Sequence, residues 1–361
     1  MKKHEKIIAP LIAIVLGILL GTLIIMASGR SPVLMFSSLL KSLTGIDLLK
    51  PGPLNLRYFG EFIVFSMPII LSGLAIGFAY RTGLFNIGCE GQVIVGGAMA
   101  AAAGVLLKLP PVIHVLACLL AGGLAGALWA FLPGLLRVRK NISEVVTGIM
   151  LNYVAQHMSN YWIKALPGST QARTADLPAG ALLKSPLLSS LTKNSRLNWG
   201  IIVVIVAVFL YWIIIEKTTF GFGLRATGYN KEGARYAGMK VSKNVISAIM
   251  ISGFLAGLAG AIMTLGTFGY GRVLSAAEGY GFDGIAVALV GGCNAIGILL
   301  SGLLFGLLKV AQPALQSMSV PKDIAVIISS AIIMFVAMQN GIMGVIYSLT
   351  DKFHKERGVS K

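Results

Sequence analysis

Long apolar runs alternate with short polar breaks along this chain. The runs at residues 7–27, 62–79, 93–107, 112–136, 144–163, 201–215, 245–265, 285–310 and 324–338 are followed by a shorter one at 342–349, set off by Gln339, Asn340 and Gly341. Most approach the roughly 20 residues that a helix needs to cross the ~30 Å hydrocarbon layer of a membrane. In lipid a backbone must satisfy its own hydrogen bonds, which leaves helices or a closed barrel. Barrel strands alternate apolar and polar positions, and these runs are too long and too uniform for that. The pattern predicts an all-α fold: a single polytopic domain, residues 1–361, of about ten transmembrane segments. The run at 7–27 follows MKKHEK as a secretory leader would, but it exceeds the usual apolar core of about 7–15 residues and reads as an uncleaved first span.

The stretches 28–57 and 167–198 read as external loops, and 216–243 as a cytoplasmic one. This orientation follows the density of Lys and Arg near span ends. The N-terminus, the cluster Arg137, Arg139 and Lys140, the 216–243 loop and the basic tail then share the inner side, with both termini cytoplasmic. Arg30, Lys41, Lys50 and Arg57 in the first external loop, and Arg173, Lys184, Lys193 and Arg196 in the second, are spread over longer loops.

Composition narrows the class. Of 361 residues 56% are hydrophobic and 12% charged, against about 25% charged in soluble domains. The net charge of +17 would suit nucleic acid only with a basic, aromatic-bearing soluble surface, which is lacking. Cys89, Cys118 and Cys293 lie apart in apolar sequence, so neither a disulfide nor a metal site is expected. His4, His114, His157 and His354 are as dispersed and read as interface or tail residues. No GxxxxGK[ST], HExxH or GxSxG motif occurs, so the chain is expected to be no enzyme and to hold no ATP site or cofactor of its own. Gly17/Gly21, Gly73/Gly77, Gly122/Gly126, Gly253/Gly257 and Gly302/Gly306 have the spacing that lets membrane helices touch.

Three polar segments carry candidate function. The 216–243 loop holds Lys217, Arg225, Lys231, Arg235, Lys240 and Lys243. Within it a short helix is predicted from its caps, with Asn230 as N-cap, Glu232 in the first turn, Arg235 in the last and Gly238 just beyond. Two turns are too short to be stable alone, and the small face of Gly233, Ala234 and Ala237 suits a partner's close approach. The second segment is GLFNIGCEGQ at 83–92, whose glycines and polar Asn86, Glu90 and Gln92 predict a broken or re-entrant helix. Glu90 is either a functional acid inside the membrane or the partner of Arg81 in a cytoplasmic turn. The third is the fifth run, where Asn152, Gln156 and Asn160 share one helix face near Tyr153, Tyr161 and Trp162. Those amides either meet a neutral, ring-bearing solute or join helices by hydrogen bonds. Asn294, Glu278 and Asp283 are further candidates of the same kind.

GLFNIGCEGQ at 83–92, NISEVVTGIMLNYVA at 141–155 and NKEGARYAGMKV at 230–241 together resemble the permease subunits of ABC importers for nucleosides and simple sugars, in order and spacing, over residues 60–345. The NIGxEGQ wording is closer to the nucleoside branch. The resemblance implies a bacterial inner-membrane importer of a nucleoside, with a second related permease, an ATPase subunit that uses ATP, and a substrate-binding lipoprotein. It assigns Asn230, Ala234, Arg235 and Gly238 to ATPase coupling. Asn86, Glu90, Gln92, Asn152, Tyr153, Gln156 and Asn294 are the expected substrate pathway. Gly233 stands where the family often has alanine, at a helix-propensity loss of about 1 kcal/mol. Alternatives are a sugar or branched-chain amino-acid permease and, in another class, a proton-coupled secondary transporter working through Glu90.

Overall fold

The computed structural model describes residues 5–27, 29–48, 53–317 and 323–338. The expected segment at 342–349, the C-terminal tail with His354, and His4 and Lys50 lie outside the described residues.

The helices are, in order, α1 (Glu5–Ala27), α2 (Val33–Thr44), α3 (Arg57–Tyr80), α4 (Cys89–Leu106), α5 (Pro111–Lys140), α6 (Glu144–Ala165), α7 (Pro186–Leu191), α8 (Gly200–Trp212), α9 (Thr219–Tyr229), α10 (Lys231–Tyr236), α11 (Val241–Ile262), α12 (Tyr280–Val290), α13 (Ala295–Ser317) and α14 (Asp323–Ala337). Wider π-helical turns extend α8 through Lys217 and α11 through Phe268. Among the described residues no strand forms and six helices are long and apolar enough to cross a membrane: α3, α4, α5, α8, α11 and α13. Six of the about ten expected segments therefore meet the length and composition of a crossing helix among the described residues. The described apolar part of α1, together with α12 and α14, is too short, and α6 carries too many polar side chains.

Burial separates an inner layer from an outer one. The apolar stretch of α3 is 89% buried, that of α11 72% and that of α4 67%, against 39% for α5 and 28% for α8. Small residues make the inner contacts possible: a Cβ added to Gly96 would stand 2.4 Å from the Gly257 Cα, and one on Gly260 only 1.9 Å from the Val93 carbonyl oxygen. The backbones of α4, α5 and α11 touch along this seam, as glycine-faced membrane helices do. Gly17 and Gly21 of α1 likewise receive Ile332 and Ile328 of α14.

Three departures from the sequence pattern matter. The stretch at 28–57 contains α2, whose Met35, Ser37, Ser38 and Ser42 are buried. The run at 285–310 is not one segment: Gly291 and Gly292 end α12, and Asn294 caps α13, its Oδ1 accepting the Gly297 N–H at 2.8 Å. The stretch at 167–198 is tied back onto the bundle at several points. The Thr174, Leu177 and Leu183 N–H groups donate to the carbonyls of Gly271, Gly269 and Leu265 at 2.9, 2.9 and 3.0 Å, and Leu177, Ala181 and Leu183 are buried.

Candidate functional site: two chain breaks joined inside the bundle

Two irregular stretches run into the bundle from opposite ends and meet. The first, residues 81–88, begins beside α9, where a Cβ on Gly83 would lie 3.2 Å from the Gly228 Cα. It enters between α3, α6 and α11, and α4 starts within the bundle at Cys89. The second, residues 269–279, leaves the far end of α11 and runs inward beside α6 to the start of α12. Its ends are glycines in left-handed backbone, Gly269 and Gly279, both at φ 82°, a conformation that side chains with a Cβ resist.

An irregular backbone in an apolar interior needs partners for its N–H and C=O groups, and the polar side chains singled out in the sequence supply them. Asn86 donates from Nδ2 to Gln92 Oε1 and to Ser252 Oγ, each at 2.8 Å, and Gln92 Nε2 donates back to Asn86 Oδ1 at 3.1 Å. Asn152 spans the break from α6, accepting the Gly91 N–H at 2.8 Å and donating to the Ile87 carbonyl at 3.0 Å. Asn160 pairs with both backbone groups of Leu274, at 2.7 and 2.8 Å, and Gln156 adds a donor to the same carbonyl at 3.3 Å. The amide face of α6 thus holds both breaks through hydrogen bonds between chain segments.

Glu90 closes the junction. It is 1% exposed, and its carboxylate accepts the Gly279 N–H at 2.8 Å and the Gly281 N–H at 2.6 Å. It lies in the first turn of α4 and against the first turn of α12, so two positive helix ends converge on one anionic group. Glycine is required opposite it, because a Cβ on Gly281 would fall 2.4 Å from the Glu90 nitrogen. The alternative pairing of Glu90 with Arg81 is overturned: Arg81 binds Glu216, which also binds Arg225 of α9.

Beside the junction lies a cavity of about 30 Å³, lined by Glu90, Ser159, Thr264, Arg272, Glu278 and Tyr280 among others. That is room for about one water. Arg272 and Glu278 form a forked ion pair, with Nη2 to Oε2 at 2.6 Å, and the guanidinium lies 3.6 Å from the Phe268 ring centre. Ser159 Oγ is buried without a hydrogen-bond partner among the described residues. Asp283 meets Lys309 at 2.6 Å.

Two of the expected pathway residues stand elsewhere. Tyr153 is 65% exposed on the outward side of α6, next to the amide face, and Asn294 caps α13, following Gly292 and Cys293, which lie beside α9. The sequence reading missed Ser252, Gly279 and Gly281. The pair of glycines flanking Tyr280, at the end of a Gly-rich polar stretch, is the one signal that pointed to them.

At the α9 end, Asn230 caps α10, its Oδ1 accepting the Gly233 N–H at 2.9 Å, and Gly238 follows at φ 79°. Ala234 is buried within the chain at 5% exposure, so it does not offer itself to a partner; Tyr229 and Tyr236 do, at 88% and 98%. The Glu232–Arg235 pair, 2.8 Å apart, is exposed on both sides, and such pairs contribute at most about 1 kcal/mol. Among the described residues no group of three His, Cys, Asp or Glu could hold a metal, and the three cysteines are free and buried.

An all-helical membrane bundle whose interrupted helices meet in its interior has the build of a transport protein. Residues 58–337 match the family described as branched-chain amino acid transport system / permease component. The chain is 43% identical over 353 residues to the guanosine ABC transporter permease protein NupP of Bacillus subtilis, covering 98% of this chain and 99% of that one. It is 35% identical over 344 residues to the nucleoside ABC transporter permease protein NupB of Lactococcus lactis (93% and 92%), and 32% identical over 287 residues to the glucose ABC transporter permease protein TsgB13 of Haloferax volcanii (76% and 74%). The chain belongs to this permease family: it is a multi-pass membrane protein and a transport component, not an enzyme.

Proposed function

We propose that this chain is a membrane-spanning subunit of an ATP-binding cassette importer that carries a nucleoside into a bacterial cytoplasm. The observation that carries the reading is similarity along nearly the whole length to permeases of guanosine and nucleoside systems. The geometry supports it with a capped, exposed two-turn helix, α10, fastened to a broken bundle interior.

In this reading α9, α10 and both termini face the cytoplasm of the inner membrane, and 28–57 and 167–198 face outward. The crossings number about ten once α1, α6, α14 and α12 together with the irregular stretch before it join the six long apolar helices. ATP is used by a partner ATPase that docks on the 216–243 region, around Asn230, Arg235 and Gly238, with Ala234 holding α10 to its own chain. A second, related permease completes the path, and a binding lipoprotein delivers solute. The chain itself binds no ATP, cofactor or metal. Asn86, Glu90, Gln92, Asn152 and Gln156 frame the path by fixing the chain breaks, and Tyr153 borders it. A push on α10 passes through α9 and the Arg81–Glu216–Arg225 cluster to the 81–88 break, and so to the Glu90 junction.

One observation favours a second reading: the similarity to a glucose permease fits a sugar as the solute. Affinity purification of the tagged chain in mild detergent, followed by uptake assays of the recovered complex in vesicles, decides. A second permease and an ATPase in equal amounts, with ATP-dependent uptake of nucleosides that excess sugar does not inhibit, is the expected result. Recovery of a homo-oligomer that moves solute without ATP would overturn the importer reading, and competition by sugars alone would overturn the substrate.

A further inference from the structure

The outward face of α6 differs from those of α5 and α8. On α5 the residues turned away from the bundle are aliphatic, among them Leu120 and Leu124 at 53% and 54% exposure. On α8 they are Ile, Val, Leu and aromatic residues, such as Ile205 at 60% and Phe209 at 56%. Such faces suit lipid. On α6 the outward residues include, beside the apolar Val146, Met150, Val154 and Met158, a polar stripe of Tyr153, His157 and Tyr161; Tyr153 and Tyr161 are 65% and 73% exposed and His157 is exposed. Tyr153, His157 and Tyr161 follow one another at four-residue steps and so share one face. None of their side chains makes a hydrogen bond to another described residue.

Depth makes this face inconsistent with lipid. α6 has 22 residues, about 33 Å at 1.5 Å per residue, and Tyr153 lies about 14 Å along it. Its neighbour Asn152 bonds to the start of α4, beside Glu90. The phenol and imidazole therefore sit near the middle of the bundle's length, where hydrocarbon would leave their polar atoms unsatisfied.

We propose that Tyr153, His157 and Tyr161 form one wall of a wet solute path between this chain and its partner permease, and that they are specificity-determining contacts for a ring-bearing neutral solute. The two phenol rings offer stacking surfaces about 12 Å apart along the helix, and the imidazole between them offers a donor and an acceptor to a base edge. This inference rests on the permease-pair reading above. It moves the expected contact surface from the amide face of α6, whose groups are spent on the chain breaks, to the neighbouring outward face.

The test uses the whole importer in vesicles, with Tyr153→Cys, His157→Cys and, as a lipid-facing control, Leu120→Cys, each probed with a membrane-impermeant thiol reagent. The native cysteines are buried. Thiols at 153 and 157 should react about tenfold faster than the one at 120, because a thiol needs water to ionise. A mixture of purine and pyrimidine nucleosides should slow that reaction several-fold. Equal rates at all three positions, or rates that nucleosides leave unchanged, overturn the proposal. Because His157→Cys can impair transport, the uptake KM of Tyr153→Phe and Tyr153→Ala is measured alongside: the ring-retaining variant should keep the wild-type KM and the alanine variant raise it. Equal KM values for the two also overturn it. Nucleoside uptake by the unmodified importer, measured in the same vesicles, tests the underlying function separately.

Discussion

Replacing Glu90 tests whether the two chain breaks are held as the geometry implies. The carboxylate accepts two backbone N–H groups, from Gly279 and Gly281. Glu90→Ala leaves both donors buried without partners, and at about 1–3 kcal/mol for each orphaned group the loss is about 2–6 kcal/mol. The lost attraction to two helix N-termini adds roughly 0.3–1 kcal/mol for each. Glu90→Gln keeps one acceptor but turns an NH2 group toward the other donor, so about half the bonding is lost, while removal of a buried charge offsets part of it. The expected order of stability is wild type, then glutamine, then alanine, read as the midpoint of thermal inactivation of the purified complex in detergent. Hydrogen exchange supplies a local readout: the amides of Gly279 and Gly281 should lose protection in Glu90→Ala, while amides in α5 keep theirs. An alanine variant as stable as wild type, with 279–281 still protected, would mean that desolvation of the carboxylate outweighs its bonds and would refute the reasoning.

Other perturbations separate framework from function. Gly281→Ala places a Cβ 2.4 Å from the Glu90 nitrogen, and this backbone clash should abolish recovery of folded complex, as judged by size-exclusion profile. Asn152→Ala removes partners from the Gly91 N–H and the Ile87 carbonyl; it should lower the inactivation midpoint by the equivalent of about 1–3 kcal/mol while leaving the solute KM of surviving complex near wild type. Tyr236→Ala removes a ring that is 98% exposed, so the chain should fold normally yet lose ATPase in pull-down, by about 2 kcal/mol of affinity if the ring is an interface anchor. Ala234→Glu puts a charge at a buried position and should release α10 from α9, seen as faster proteolysis within 216–243 even without ATPase; unchanged proteolysis would contradict that placement.

Local features were legible in the sequence. The run at 112–136 became α5 at Pro111–Lys140, and the caps of α10 sit where Asn230 and Gly238 indicated. These follow from side-chain chemistry within a few residues of the element they control. Asn86, Glu90, Gln92 and Asn152 also stood out, because polar groups in apolar runs need a reason to be there. Their partners did not stand out, since the Glu90 bonds join positions 189 and 191 residues apart and no periodicity reports such a pairing. The direction of Ala234 was hidden for a related reason: a two-turn helix is too short for its pattern to say which face its own chain covers. The split of 285–310 was half visible, as Asn294 marked the interruption but a polar pair inside an apolar run does not distinguish a kink from a reversal.

The short α12 sets a condition on how this protein is made. Its 11 residues rise about 17 Å, well short of a ~30 Å hydrocarbon layer, and the irregular stretch before it exposes backbone that lipid cannot satisfy. A membrane insertase therefore cannot release this segment sideways as a finished helix. It has to be retained, together with α13, until α4 and α6 stand ready with Glu90 and Asn160, so the order of synthesis, with those helices emerging first, is itself part of what makes the bundle assemble.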